Sequence, residues 1–222
     1  MNLRWQIAQF FEIRWWRFYL SGKEKTAYLD WKKDYWKQFL AQTGVEPLPG
    51  EKILDAGCGP AGIFMVLPRQ TVDALDPLLG HYQREIPHFR PADYPHTTFF
   101  CEKIERYFPE RQYDIVFCLN AINHVADLHR CLDRLALLTK PEGTLVLSVD
   151  VHNSNFLKRV FRLFPGDILH PHQHDLAEYE AMLVKRGFYL ERKIQIKKEL
   201  VFGYWVLVGR TSESTGEKRR SR

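Results

Sequence analysis

The stretch Lys52–Gly62, KILDAGCGPAG, limits the fold of this 222-residue chain more than any other. An apolar run ending in the acid Asp55 passes almost directly into Gly57, Gly59 and Gly62. Glycines are needed where a backbone turns sharply and lies so close to a ligand that any Cβ would clash. A strand feeding such a loop puts a binding site at the carboxyl edge of a sheet. The loop by itself fits nicotinamide and flavin enzymes as well.

Around and beyond this loop the chain has the rhythm of an α/β fold. The runs KILD, TVDAL, TTFFC, YDIVFCL and GTLVLSVD are strand-like and alternate with helical patterns, which predicts a mainly parallel sheet. Leu128, Leu132, Leu135 and Leu138 mark the helix after the fourth run. Another helix opens at Asp175, with Glu178 three residues on as a capping box, and stops at Gly187. FYLERKIQI and VFGYWVLV are separated by a few polar residues, which predicts an antiparallel hairpin at the sheet edge.

Ahead of the core, Ile7, Phe11 and Phe18, and then Tyr28, Trp31, Tyr35 and Phe39, recur at helical spacing around a break at Ser21-Gly22. Two amphipathic helices are expected, ended by VEPLPG, whose prolines cannot continue a helix. The chain therefore divides into an N-terminal helical cap at 1–48, a core at 49–210 and a basic tail at 211–222. The tail lacks apolar periodicity and is expected to be disordered.

Composition narrows the setting. A hydrophobic fraction of 45% is enough for a continuous core. Cys58, Cys101, Cys118 and Cys131 form no C-x-x-C pair, which argues against a zinc site or a disulfide framework and suits a reducing compartment. No stretch reaches the roughly 18 apolar residues of a membrane span, and the first residues lack the pattern of a secretory leader, so a cytoplasmic location is expected. The tail supplies four basic against two acidic residues toward the net charge of +5 and leaves the body only mildly basic, so no nucleic-acid partner is expected.

Asp76, in TVDALDP, lies about 20 residues past the loop, where an acid can accept both hydroxyls of a ribose, a feature that dehydrogenases share. Asp55 is placed either to hold an ammonium group or to orient the glycine loop. A dinucleotide site needs a helix N-terminus there for its pyrophosphate. Taken together, ILDAGCGPAG, LDP, YDIVFCLNAINHV and GTLVLSVD resemble the class I, Rossmann-like S-adenosylmethionine-dependent methyltransferase family over about residues 50 to 210. The resemblance implies a seven-stranded, mainly parallel α/β sheet with an antiparallel last strand and helices on both faces. It also implies S-adenosyl-L-methionine as cofactor, with Asp55, Gly57, Cys58 and Gly59 on its methionine side and Asp76 and Pro77 at the ribose. Glu102, Lys103 and Ile104 would flank adenine, and Asn120 would face the methyl donor. CEKIERYF departs from the aspartate-containing G-D-A form usual in the family, which leaves that register open by one residue.

Methyl transfer from a sulfonium is an in-line displacement at an activated carbon, so alignment and, where needed, removal of one proton are what a protein supplies. His124 and His152, just beyond the fourth and fifth strands, are the candidates for a base. His170, His172 and His174 sit in ILHPHQHD, read as a loop closing over substrate; alternating histidines also suit a metal, but the run precedes a capped helix and no metal is expected. Tyr28, His124, His170 and His172 are the candidate substrate contacts.

Absences narrow the acceptor. The loop NAIN lacks the proline-proline-aromatic grip used by the resembling enzymes on a flipped base, and no proline-cysteine nucleophile is present. The paired glutamates of arginine methyltransferases and the acidic triplet of metal-dependent catechol methyltransferases are missing too. A small aromatic or amphiphilic acceptor beneath the N-terminal helices remains, with Arg14, Arg17 and Lys23 available for an anionic group. The mixture of tryptophan, phenylalanine and arginine in WQIAQFFEIRWWRFYLSGK also suits peripheral membrane contact with a lipid or quinone acceptor. A cofactor-binding protein without transferase activity is the rival from another class, and the acceptor atom and oligomeric state stay open. The terminal hairpin and the LNAINHV loop weigh against a nicotinamide oxidoreductase.

Overall fold

A computed structural model of the chain describes residues 3–152, 174–198 and 202–212. His170, His172 and the tail from residue 213 lie outside the described residues. Seven strands form one sheet in the order β3-β2-β1-β4-β5-β7-β6. They are β1 (Lys52–Ala56), β2 (Thr71–Leu75), β3 (Thr97–Phe100), β4 (Tyr113–Cys118), β5 (Thr139–His152), β6 (Phe188–Lys198) and β7 (Phe202–Thr211). The first five pair in parallel, while β7 runs antiparallel between β5 and β6. The Rossmann-like sheet and its terminal hairpin are thus as the sequence predicts.

The parallel strands are buried because both sheet faces are covered. Ile53, Val72, Ala74, Ile115 and Phe117 share one core with the N-terminal helices α1 (Leu3–Ser21) and α2 (Lys25–Thr43). Leu54, Leu75, Val116 and Leu147 share the other with α4 (Leu128–Leu138), where Leu128, Leu132, Leu135 and Leu138 are all buried. α5 (Leu176–Val184) starts on the expected box: Glu178 N–H donates to Asp175 Oδ1 at 2.9 Å, and Asp175 N–H donates to Glu178 Oε2 at 2.7 Å. Gly187, at φ +84°, follows the helix.

The structure departs from the sequence pattern in two places. The regular alternation of strand and helix fails between β1 and β4. The chain leaves the glycine loop through a single 3-10 turn, Ile63–Val66, and α3 (Leu79–Glu85) has only seven residues. α2 covers the sheet where a longer crossover helix would lie, with Trp36 and Phe39 buried in that core. The apolar face expected for α1 is also displaced: Phe11 and Phe18 are exposed, whereas Ile13 and Leu20 are buried. In α2, Tyr28 and Phe39 are buried as expected, but Trp31 points outward and Trp36 inward. Aromatic residues occupy so many positions of both helices that spacing alone does not single out the inner face.

Candidate functional site

The glycine loop owes its shape to the strand ends around it. Gly57 and Cys58 N–H both donate to the Leu75 carbonyl, at 2.7 and 3.1 Å, which folds the loop over the end of β2. Gly57 and Gly59 have φ of +77° and +57°, in the left-handed region that L side chains rarely adopt. A Cβ on Gly57 would run into the Ala121 methyl, and one on Gly62 into the Asp55 carboxylate. Asp55 itself is buried beneath the loop and accepts Phe64 N–H at 3.2 Å. Burial pushes its carboxyl up to about 7, with the Asp76 charge adding to the rise.

Asp76 faces the other side of the loop. Its Oδ2 accepts Gly59 N–H at 3.0 Å and its Oδ1 accepts Leu78 N–H at 2.8 Å. Burial raises its pKa, and so does a second acid that the sequence does not single out, Glu12 of α1. Glu12 accepts Tyr82 O–H at 3.2 Å and Gln9 Nε2–H at 3.2 Å, and its own pKa is raised chiefly by burial. Two carboxyl groups from different parts of the chain therefore look onto one place.

A cleft opens here at the carboxyl ends of β1, β2 and β4. Its floor includes Gly57, Cys58, Gly59, Asp76 and Pro77; Lys103 and Ile104 form one wall, with Asn120 and His124 opposite. Asn120 holds a positive φ of +53° and donates its N–H to Ser148 Oγ at 2.7 Å, which fixes the turn that leads the loop out of β4. The 3-10 turn Ile122–His124 follows. Burial, with the charges of Asp55 and Asp76, holds the Cys58 thiol well above the usual range, so Cys58 is a neutral wall rather than a nucleophile.

The roof comes from the N-terminal helices: Gln9, Glu12 and Trp16 from α1, Lys32 and Trp36 from α2. Trp36 Nε1–H donates to the Ala61 carbonyl at 2.9 Å, a buried bond that ties α2 to the glycine loop. The Lys32 ammonium lies 4.5 and 4.6 Å from the ring centres of Tyr35 and Trp36. Burial lowers its pKa to about 8, while the Asp55 charge acts the other way. The cleft between roof and floor, open on one side, has a volume of about 150 Å³.

Other residues singled out in the sequence stand elsewhere. Glu102 is not among the cleft walls, where Glu105 appears instead; Glu105 Oε1 accepts Ala126 N–H at 3.0 Å and Asp127 N–H at 3.2 Å and so braces the start of α4. Tyr28 is buried among Tyr19, Trp31 and His88 between the helices. His152 ends β5 opposite Phe202, and its side chain lies outside the described part. Glu12, Lys32 and Trp36 escape a reading by spacing because it misplaces the inner faces of α1 and α2; the one signal for Glu12 and Lys32 is charge set among aromatic residues.

Among the described residues no helix is long and apolar enough to cross a membrane, and no group of three or more histidine, cysteine or acidic side chains is arranged to hold a metal ion. The fold has solved counterparts. A magnesium protoporphyrin IX methyltransferase from Synechocystis PCC 6803, crystallised with S-adenosylhomocysteine, superimposes with a TM-score of 0.59 at 22% identity, covering 84% of each chain. The 1,6-didemethyltoxoflavin-N1-methyltransferase of Burkholderia thailandensis superimposes with a TM-score of 0.58 at 18% identity, covering 82% of this chain and 78% of that one. In sequence, the ubiquinone biosynthesis O-methyltransferase of Rhodopseudomonas palustris (strain HaA2) is 32% identical over 105 residues, 46% of this chain; the match spans 40% of that relative's length. A family model described as a methyltransferase domain matches residues 28–193, well over half of the sequence, and the chain belongs to that methyltransferase domain family.

Proposed function

We propose that the chain binds S-adenosylmethionine in this cleft and passes its methyl group to a small-molecule acceptor. The observation that carries the reading is the convergence, at the strand ends, of a glycine loop that excludes Cβ atoms with two acids, Asp76 and Glu12. A cis-diol brings two O–H donors, and two carboxylates facing one place are its natural acceptors. The absence of an α-helix directly after the loop removes the N-terminal dipole that a dinucleotide pyrophosphate uses, which favours a cofactor without one.

In this reading Gly57, Cys58 and Gly59 carry the amino-acid end and Lys32 supplies the positive charge for its carboxylate. Ile104, with Lys103, flanks the base, and Asn120 faces the transferred group. The bound cofactor supplies an activated methyl carbon. The chain aligns the acceptor with it, keeps water out with Trp16 and Trp36, and offers His124 to take the acceptor's proton where one is released. His152 stays a second candidate base and His170 and His172 stay candidate substrate contacts, whereas Tyr28, buried between the helices, does not line the cleft.

Residues 1–48 then act as a roof on the 49–210 core, with 211–222 as a tail. A cytoplasmic setting suits four cysteines that are all free. The match covers well under two thirds of the quinone-pathway relative, whose name favours an aromatic, amphiphilic acceptor such as a quinone precursor. Calorimetric titration with S-adenosylmethionine, S-adenosylhomocysteine and NADH tests the reading. Micromolar binding of the two sulfur compounds, weakened about 10- to 100-fold by Asp76→Ala, is expected from the loss of a charged hydrogen-bond acceptor. Tight NADH binding without either would overturn it. Binding with no release of labelled methyl to any acceptor would leave a cofactor-binding protein without transferase activity.

A further inference from the structure

From Phe10 to Phe18 the outer side of α1 carries large apolar side chains. Phe10, Phe11, Trp15 and Phe18 are 55, 49, 52 and 81% exposed, although Ile13 and Leu20 of the same helix are buried. At 100° per residue, Phe11, Trp15 and Phe18 fall within one narrow sector opposite Ile13, Trp16 and Leu20. Trp15 packs one side against Tyr19 and Trp16, with ring centres 4.9 Å apart in each case, but the exposed parts of Phe11, Trp15 and Phe18 are not explained by packing within the chain.

Charge sorts the candidate occupants. Arg14 lies between these aromatics, with its guanidinium 5.3 Å from the Phe10 ring centre, and Lys23 covers Tyr19 at 4.5 Å. Beside them runs a groove of about 850 Å³ lined by Arg14, Arg17, Lys23 and Lys25. Arg17 is paired with Glu85 and Lys25 with Asp93, but Arg14 and Lys23 have no carboxylate partner among the described residues. A second copy meeting this face about a twofold axis would bring the same basic groups together, with Glu24, which caps α2, and Glu85, already paired with Arg17, as the acids beside them. An anionic lipid surface offers phosphates to the basic groups and an interfacial layer to the phenylalanines and tryptophan.

We infer that the outer face of α1, from Phe10 to Lys23, is a docking surface for an anionic bilayer. The helix lies in the headgroup layer, with Phe11, Trp15 and Phe18 inserted and Arg14 and Lys23 on phosphates. Its inner face roofs the cleft, so docking sets the mouth of the site at the membrane surface, where an amphiphilic molecule is concentrated. Nothing in this surface depends on the identity of the cofactor.

The test is sedimentation of the full chain with vesicles of phosphatidylcholine alone or containing about one-third phosphatidylglycerol. The wild type should pellet with the anionic vesicles and be released by high salt. Arg14→Gln with Lys23→Gln should weaken that binding by roughly fivefold per charge, about 25-fold together. Phe11→Ser with Phe18→Ser should abolish it while leaving cofactor affinity and the melting temperature near wild type; should that variant fail to fold, the charge variant still decides. A wild type left wholly in solution with both vesicle types would overturn the proposal. So would a wild-type dimer, seen by sedimentation velocity, that the serine variant converts to monomer without any vesicle binding by either, since a second copy would then be the occupant.

Discussion

Gly57→Ala together with Ala121→Gly separates two reasons why the loop needs glycine. At φ +77° an alanine carries the left-handed penalty of about 1–2 kcal/mol. Its methyl also overlaps the Ala121 methyl, and forcing an extra carbon into a filled site costs about 1–3 kcal/mol. The lower entropy of the unfolded alanine chain offsets about 0.4–1 kcal/mol of this. The net loss for Gly57→Ala is therefore about 1–5 kcal/mol, or a melting point lower by roughly 2–18 °C for a chain of this size. Ala121→Gly in the same molecule removes the overlap and leaves the backbone penalty, so about half of the loss should return. Urea unfolding of the wild type, the two single variants and the double variant gives this coupling directly. Strict additivity of the two substitutions would refute the assignment of the clash to Ala121. Undiminished S-adenosylmethionine affinity in Gly57→Ala would refute the role of the loop itself.

Lys32→Met should weaken S-adenosylmethionine by roughly 10- to 100-fold, the worth of one charge-assisted contact, while adenosine, which has no carboxylate, binds as to the wild type; equal losses for both ligands in calorimetry would reassign Lys32. Asp55 titrates near 7 in the fold and near about 4 when unfolded, so the folded state keeps a proton that the unfolded chain releases between those values. Its contribution to stability is complete below about pH 4, falls by up to about 1.4 kcal/mol per pH unit, and is lost above about pH 7. Thermal melts of the ligand-free protein should therefore drop from pH 5 to pH 8, and Asp55→Asn should shrink that drop, with Asp76 and Glu12, raised by burial too, keeping the rest; parallel profiles for the two proteins would count against it.

The core of the fold was legible because its signals are local. β1 announces itself through an apolar run stopped by Asp55 and the glycines, α4 through four leucines at helical spacing, and α5 through the Asp175–Glu178 box. The two acids of TVDALD show where legibility ends. Asp73 and Asp76 are three residues apart, yet Asp73 is held by Arg111 Nε–H at 2.9 Å and by the hydroxyls of Tyr107 and Tyr113, far from any cleft wall. Only the position of Asp76 past the strand end distinguishes them beforehand. Glu12, Lys32 and Trp36 reach the cleft through tertiary packing of α1 and α2, and a helix with aromatics on every side has no single apolar stripe to reveal its inner face. The short connection from β1 to β2 was hidden for the same reason: the layer it leaves open is filled by α2, from the other side of the glycine loop in sequence.

If the outer face of α1 docks as proposed, a helix that is greasy on two opposite sides would make the cleft and the outer surface partners in one equilibrium. With Glu12 and Trp16 facing inward and Phe11 and Phe18 facing outward, any outward shift of α1 moves both sets at once. Reciprocity then fixes the exchange: if filling the cleft makes α1 grip a surface about ten times more tightly, that surface must make the cleft hold its ligand about ten times more tightly as well. The same helix would thereby make retention of the methyl donor depend on where in the cell the protein is resting.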